Sequence, residues 1–145
     1  MVIELNRVAA CALGFSMSFA GQAAFAQDLK AAQIKQIEGI AQDIANRHNA
    51  NEKAMLDDMT VSTHAIASGR NVRFDYVLRV KSGLSAAKLK EFADATKHEI
   101  VPRSCAANAK NPAFDRGLTY TFAYTNSFGD SLVQFTVDKA VCKGY

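Results

Sequence analysis

Val72-Arg73-Phe74-Asp75-Tyr76-Val77-Leu78-Arg79-Val80 is the stretch that decides the fold. Val72, Phe74, Tyr76, Leu78 and Val80 alternate with Arg73, Asp75, Val77 and Arg79. A strand turns successive side chains to opposite faces, so one set points inward and the other into solvent. The sheet built on it therefore has one apolar and one mainly solvated face. Just before it, Ser68-Gly69-Arg70-Asn71 reads as a turn. Thr60 to Ala67, rich in β-branched and small residues, reads as the partner strand.

Downstream, Lys81-Ser82-Gly83 breaks the strand. Ser85 is placed to cap a second helix, with Leu89, Phe92, Ala93, Thr96 and Ile100 along one side. Pro102 disfavours helix at Val101 and is expected to end or kink it there. Asn111-Pro112 suits the cap and first position of one more helical turn. Gly117 introduces a third strand, in which Leu118, Tyr120, Phe122 and Tyr124 alternate with Thr119, Thr121, Ala123 and Thr125. Asn126 to Asp130 forms a turn, and Ser131 to Val141 a fourth strand with Cys142 just past its end. Upstream, Asp28 is expected to cap a helix running to about Asn46, with Ile34, Ile37, Ala41 and Ile44 as its buried stripe. Arg47 to Asp58 reads as a polar connection that tucks Met55, Leu56 and Met59 inward.

The element order is αββαββ. It predicts an α+β domain: a four-stranded, mainly antiparallel sheet with both helices packed on one face. Phe74-Asp75-Tyr76 and Phe122-Ala123-Tyr124 resemble each other and suggest a duplicated αββ unit.

With 49% hydrophobic and 21% charged residues among 145, the chain has enough apolar surface to fold and is not of disordered composition. A formal net charge of +3 is too small and too spread to indicate a nucleic-acid partner. The first residues have the pattern of an export signal: Arg7, then the apolar run Val8 to Ala20, then Ala24 and Ala26 as small residues at the cleavage positions. The expected cut lies between Ala26 and Gln27, making 1–26 a signal peptide and 27–145 one domain. The run is shorter than the roughly 20 apolar residues of a membrane span, so the mature chain is expected to have none. Val8-Ala9-Ala10-Cys11 loosely resembles a lipobox. The apolar run follows Cys11 rather than preceding it, so Cys11 reads as an apolar filler lost with the signal. Cys105 and Cys142 remain, and in an exported domain they most simply pair. The compartment is then the periplasm or the exterior.

No set of residues has the spacing of a known catalytic or metal motif. His48, His64 and His98 have no His or Cys partner at ligand spacing. His64 with Asp57 and Asp58 reads as polar surface. There is no G-x-S-x-G elbow or glycine-rich phosphate loop, and a disulfide would consume both cysteines that a Cys–His pair needs. Asp57-Asp58 with Glu52 are too close in sequence to face each other across a cleft as glycosidase carboxylates do. Arg70, Arg73, Arg79 and Lys81 read as a solvated sheet face. Tyr76, Tyr120 and Tyr124 read as core residues whose hydroxyls reach the rim. No catalytic, metal or cofactor-binding residue is expected.

From Met55 to the C-terminus the sequence resembles small exported bacterial proteins that include the beta-type pilotins of type II secretion systems. The residues that carry the resemblance are Leu56-Asp57 leading to Thr60, Gly69 before the Val72/Phe74/Tyr76 strand, and a helix running into Cys105. Gly117 then precedes the Tyr120/Phe122/Tyr124 strand, Gly129 marks the last turn, and Cys142 follows the final strand. The resemblance implies an α+β fold with a disulfide tying helix to sheet. It also implies a binding role, since a pilotin captures a secretin segment. Pilotins are lipoproteins, and this chain departs from them in lacking a properly placed lipobox.

The function expected is therefore a non-enzymatic, periplasmic protein-interaction module, a pilotin-like accessory of an envelope or secretion assembly. The partner would be a protein or peptide of the cell envelope, bound at a strand edge or in a groove beside the first helix. A periplasmic inhibitor or ligand-binding protein is the alternative, and a small enzyme the third reading.

Overall fold

The computed structural model describes residues 20–145. The proposed cleavage point lies inside the first helix, and most of the expected signal peptide lies outside the described residues. Helix α1 spans Ala20–Ala50, followed by a 3-10 turn at Glu52–Met55. Strands β1 (Thr60–Ser68) and β2 (Asn71–Leu78) form a hairpin. Helix α2 (Ala86–Asn108) and the short α3 (Pro112–Asp115) lead into β3 (Thr119–Asn126) and β4 (Ser131–Val137). A last 3-10 turn covers Val141–Gly144.

The sheet order is β1-β2-β3-β4. The two hairpins are antiparallel, and the central pair β2–β3 is parallel. Parallel neighbours need a long crossover, which α2 and α3 supply. The sheet is thus mixed, and the expected order of elements and one-sided helix packing are present. The apolar face is built from Val72, Phe74 and Leu78 of β2, Tyr120, Phe122 and Tyr124 of β3, and Val133 and Val137 of β4. Ile37, Ala41 and Ala45 of α1, and Val101 and Cys105 of α2, close over it. In β4 a register shift lets Leu132 and Val133, adjacent in sequence, both be buried.

The Phe-x-Tyr likeness has a different meaning from duplication. Phe74 and Tyr76 lie on the second strand of the first hairpin, whereas Phe122 and Tyr124 lie on the first strand of the second. These are not equivalent places in an αββ repeat. They are instead in-register neighbours across the parallel pair. Phe74 stacks on Phe122 at 5.3 Å and Tyr76 on Tyr124 at 4.9 Å between ring centroids. Such pairs contribute about 0.5–1.5 kcal/mol each beyond their burial.

Four local expectations are corrected. Asp28 lies within α1 and does not cap it, because the helix begins at least two turns earlier. Helix α2 passes through Pro102 to Asn108. The missing proline N–H costs one hydrogen bond, but the turn is held by buried Val101 and Cys105 and by the Arg103–Glu99 ion pair. Strand β4 ends at Val137, not Val141, because Asp138 Oδ1 accepts the amide of Val141 and turns the chain into the final 3-10 segment. Met55, Leu56 and Met59 are 38%, 41% and 53% exposed, not tucked inward. Their loop is pinned by Asp57, which accepts the amides of Met59 and Thr60 and so leaves their side chains facing out. The caps at Ser85 and Asn111 are as expected: their side chains accept the amides of Lys88 and Ala113.

Cys105 and Cys142 are joined, closing a chain segment of 37 residues. By loop entropy this contributes about 4 kcal/mol, as an upper figure. The bond ties α2 to the C-terminal turn.

Candidate functional site

Helix α1 runs over β1 and β2, and α2 packs over β4. Between them the aromatic rows of β2 and β3 form the floor of a groove of about 370 Å³. Phe74, Tyr76, Tyr120 and Phe122 make the floor. His48 of α1 forms one wall, Ser104 and Ala107 of α2 the other, and Met55 closes one end. The 3.6-residue period explains the near wall. Ile37, Ala41, Ala45 and His48 continue one buried stripe, so the helix that packs on the sheet also presents His48 to the groove.

His48 is buried and its Nε2 lies 2.7 Å from Thr63 Oγ1. Its ring sits 4.9 Å from Phe74 and edge-on to Tyr76 at 6.1 Å. Burial pushes its pKa below the ordinary value, Glu52 acts in the opposite sense, and His64 lowers it further. Tyr76 and Tyr124 are pushed upward by burial. Tyr120 is pushed upward likewise, and its hydroxyl donates to Asn108 Oδ1 at 3.0 Å. His48, Tyr76 and Tyr120 are therefore neutral near pH 7 and give the groove a lining of rings with a few satisfied polar atoms.

The other residues singled out from the sequence are dispersed. His64 is exposed on the far face of the sheet, opposite Asp75 in the β1–β2 register. His98 is exposed on α2. The Asp57 carboxylate is occupied by the amides of its own loop, which hold its pKa below the carboxylate norm. Among the described residues no three His, Cys, Asp or Glu side chains gather where a metal ion could be held. Arg73 is paired with Asp75 at 2.8 Å and donates to Gln134, while Arg70 donates to the carbonyl of Arg116. Asn71, Thr119, Thr121 and Thr136 bond to one another across the same far face. That face is mainly polar and largely bonded to itself, with Ile66 exposed among its residues.

The structure also settles which strands are edges: β1 and β4. The β1 edge is partly closed. Asn49 of α1 donates to the carbonyl of Ala65 and accepts its amide, as a neighbouring strand would. Sequence reasoning missed both His48 and Asn49. The stripe spacing could have flagged His48, whereas nothing local in sequence signals the long-range partner of Asn49.

No family model matches the sequence, and no curated protein matches it. Among solved structures, similar folds occur at low sequence identity. The type II secretion system pilotin AspS of Vibrio cholerae matches with a TM-score of 0.57 at 17% identity, over 77% of this chain and 97% of that one. The type 2 secretion system pilotin EpsS of Vibrio vulnificus matches at 0.54 and 18% identity, over 77% and 96%. A secreted protein of Pseudomonas aeruginosa matches at 0.59 and 10% identity, over 76% and 96%. The chain has the fold of these pilotins, as the glycine and cysteine pattern implied. Among the described residues no helix is long and apolar enough to cross a membrane.

Proposed function

We propose that this chain is an exported, non-catalytic interaction module that captures an amphipathic helix of an envelope protein, as an accessory of a secretion assembly. The observation that carries the reading is the aromatic groove between α1 and α2. A groove walled by two helices, floored by aromatic rings and with Met55 exposed at its mouth, suits the apolar stripe of a third helix. Addition of a strand at β1 is disfavoured because Asn49 already occupies that edge. The pilotin fold of the neighbours supports the same role, and a secretin segment is the partner that the sequence resemblance implies.

The test is an NMR titration of the isotope-labelled protein with synthetic amphipathic helices taken from secretins encoded in the same genome. Shifts should concentrate at His48, Phe74, Tyr76 and Phe122, and Ala107→Trp should abolish them. Shifts confined to β4 or the far sheet face, or none with any peptide, would overturn the reading.

A further inference from the structure

A cavity larger than the groove lies at the other side of α2. It has a volume of about 500 Å³ and sits where the end of α2, α3 and the C-terminal turn meet. Pro102, Cys105, Ala106, Ala109, Phe114 and Cys142 supply apolar walls, so the disulfide itself is part of the lining. Asn108 stands between cavity and groove, but its amide is committed. Its Oδ1 accepts from Tyr120 and Asn111, and its Nδ2 donates to Ser104.

The charged groups at the mouth are Asp115, Lys139 and Lys143. Lys139 is paired with Asp115 at 2.7 Å. Lys143 has no ion pair among the described residues. The surrounding chain is biased the same way. From Val101 to Tyr145, Arg103, Lys110, Arg116, Lys139 and Lys143 outnumber Asp115, Asp130 and Asp138. A largely apolar cavity of this size, with a lysine at its mouth that no acidic side chain pairs among the described residues, has the chemistry of a small-molecule site.

We propose that this cavity binds a single-chain anionic amphiphile, a medium-chain fatty acid, with its chain against the disulfide wall and its carboxylate at Lys143. The volume holds one chain, which disfavours a two-chain phospholipid. A neutral chain would gain nothing from the exposed Lys143 ammonium, and a cationic one would be repelled by it. The site is independent of the helix-binding groove and does not rest on it.

The test uses the full chain with its disulfide intact. Dodecanoate, dodecanol and dodecyltrimethylammonium are compared below their micelle concentrations, by native mass spectrometry and by displacement of a fluorescent fatty acid. Dodecanoate should bind one to one and at least about tenfold more tightly than dodecyltrimethylammonium. Lys143→Glu should erase that preference. Ala106→Trp should remove binding while leaving the thermal midpoint unchanged, because Ala106 is exposed on α2. Equal affinity for anionic and cationic chains, binding that survives Ala106→Trp, or binding only to anionic phospholipid vesicles would overturn the proposal.

Discussion

Asn49 and Ala65 form a two-hydrogen-bond pair between a helix and a strand edge: Nδ2 donates to the Ala65 carbonyl at 2.9 Å, and Oδ1 accepts the Ala65 amide at 2.7 Å. A residue of an antiparallel strand points both backbone groups the same way, and Phe74 is the Cα partner of Ala65 across the hairpin. The groups that Asn49 takes are therefore the outward ones, at the free edge of the sheet. Unpaired edges recruit other chains, so this pair protects the fold against strand addition.

Asn49→Leu should leave those two groups unpaired beside the helix. The expected cost is about 1–3 kcal/mol, together with concentration-dependent self-association. Urea melts and sedimentation velocity check the two effects. A variant that is as stable and as monomeric as the parent would show that the edge needs no cover.

His48 makes stability depend on pH. Its pKa in the folded chain lies below the ordinary 6.5, chiefly because of burial. As pH falls past 6.5 the unfolded chain takes up the proton first, so the contribution is full above that value and is lost as pH drops toward the folded pKa. Asp57 and Asp130, held below 3.8 by hydrogen bonds, lose their contribution only at more acid pH. The urea midpoint should fall between pH 7 and pH 5, and His48→Phe should flatten that part of the profile. An unchanged slope in the variant would assign the dependence to other groups.

Gly117 carries φ +97°, and a Cβ there would come within 2.6 Å of Arg70 Nη1. Gly117→Ala should cost about 1–3 kcal/mol. Arg70→Ala should recover only part of it, because the side chain can move aside but the backbone angle cannot. Thermal melts of the single and double variants give the split, and full recovery would refute the backbone account.

The two strands of alternating pattern were readable because period two appears in the residues themselves: Val72/Phe74/Tyr76/Leu78 and Leu118/Tyr120/Phe122/Tyr124 are buried or half-buried, although in the central strand β3 the alternate residues Thr121 and Ala123 are buried as well. The caps at Ser85 and Asn111 were readable because their chemistry is local. The ends were not. The long run of α1, the passage of α2 through Pro102 and the early stop of β4 depend on partners elsewhere in the chain. Likewise Phe74 and Phe122 announce two aromatic strands, but only the register across the parallel pair turns their rings into one groove floor.

Export makes its own prediction. The exported protein should begin at Gln27, from the small residues Ala24 and Ala26. Ile37, the first buried residue of α1 among those whose burial is described, lies ten residues past Gln27. N-terminal sequencing of envelope-fraction protein checks this. A start at Cys11, or an intact Met1, would contradict it.

The central claim is that a partner helix lies in the groove between α1 and α2. Its most direct test is site-specific photocrosslinking in the living cell, with a photoreactive residue at Ala107 on the groove wall and, as control, at His64 on the far sheet face. Both positions are exposed, so neither substitution disturbs the core. The account predicts an adduct from Ala107 alone, mapping to an amphipathic helical segment of an envelope protein and lost when Tyr76→Asp places a charge in the groove floor. An adduct from His64 with none from Ala107 would contradict it.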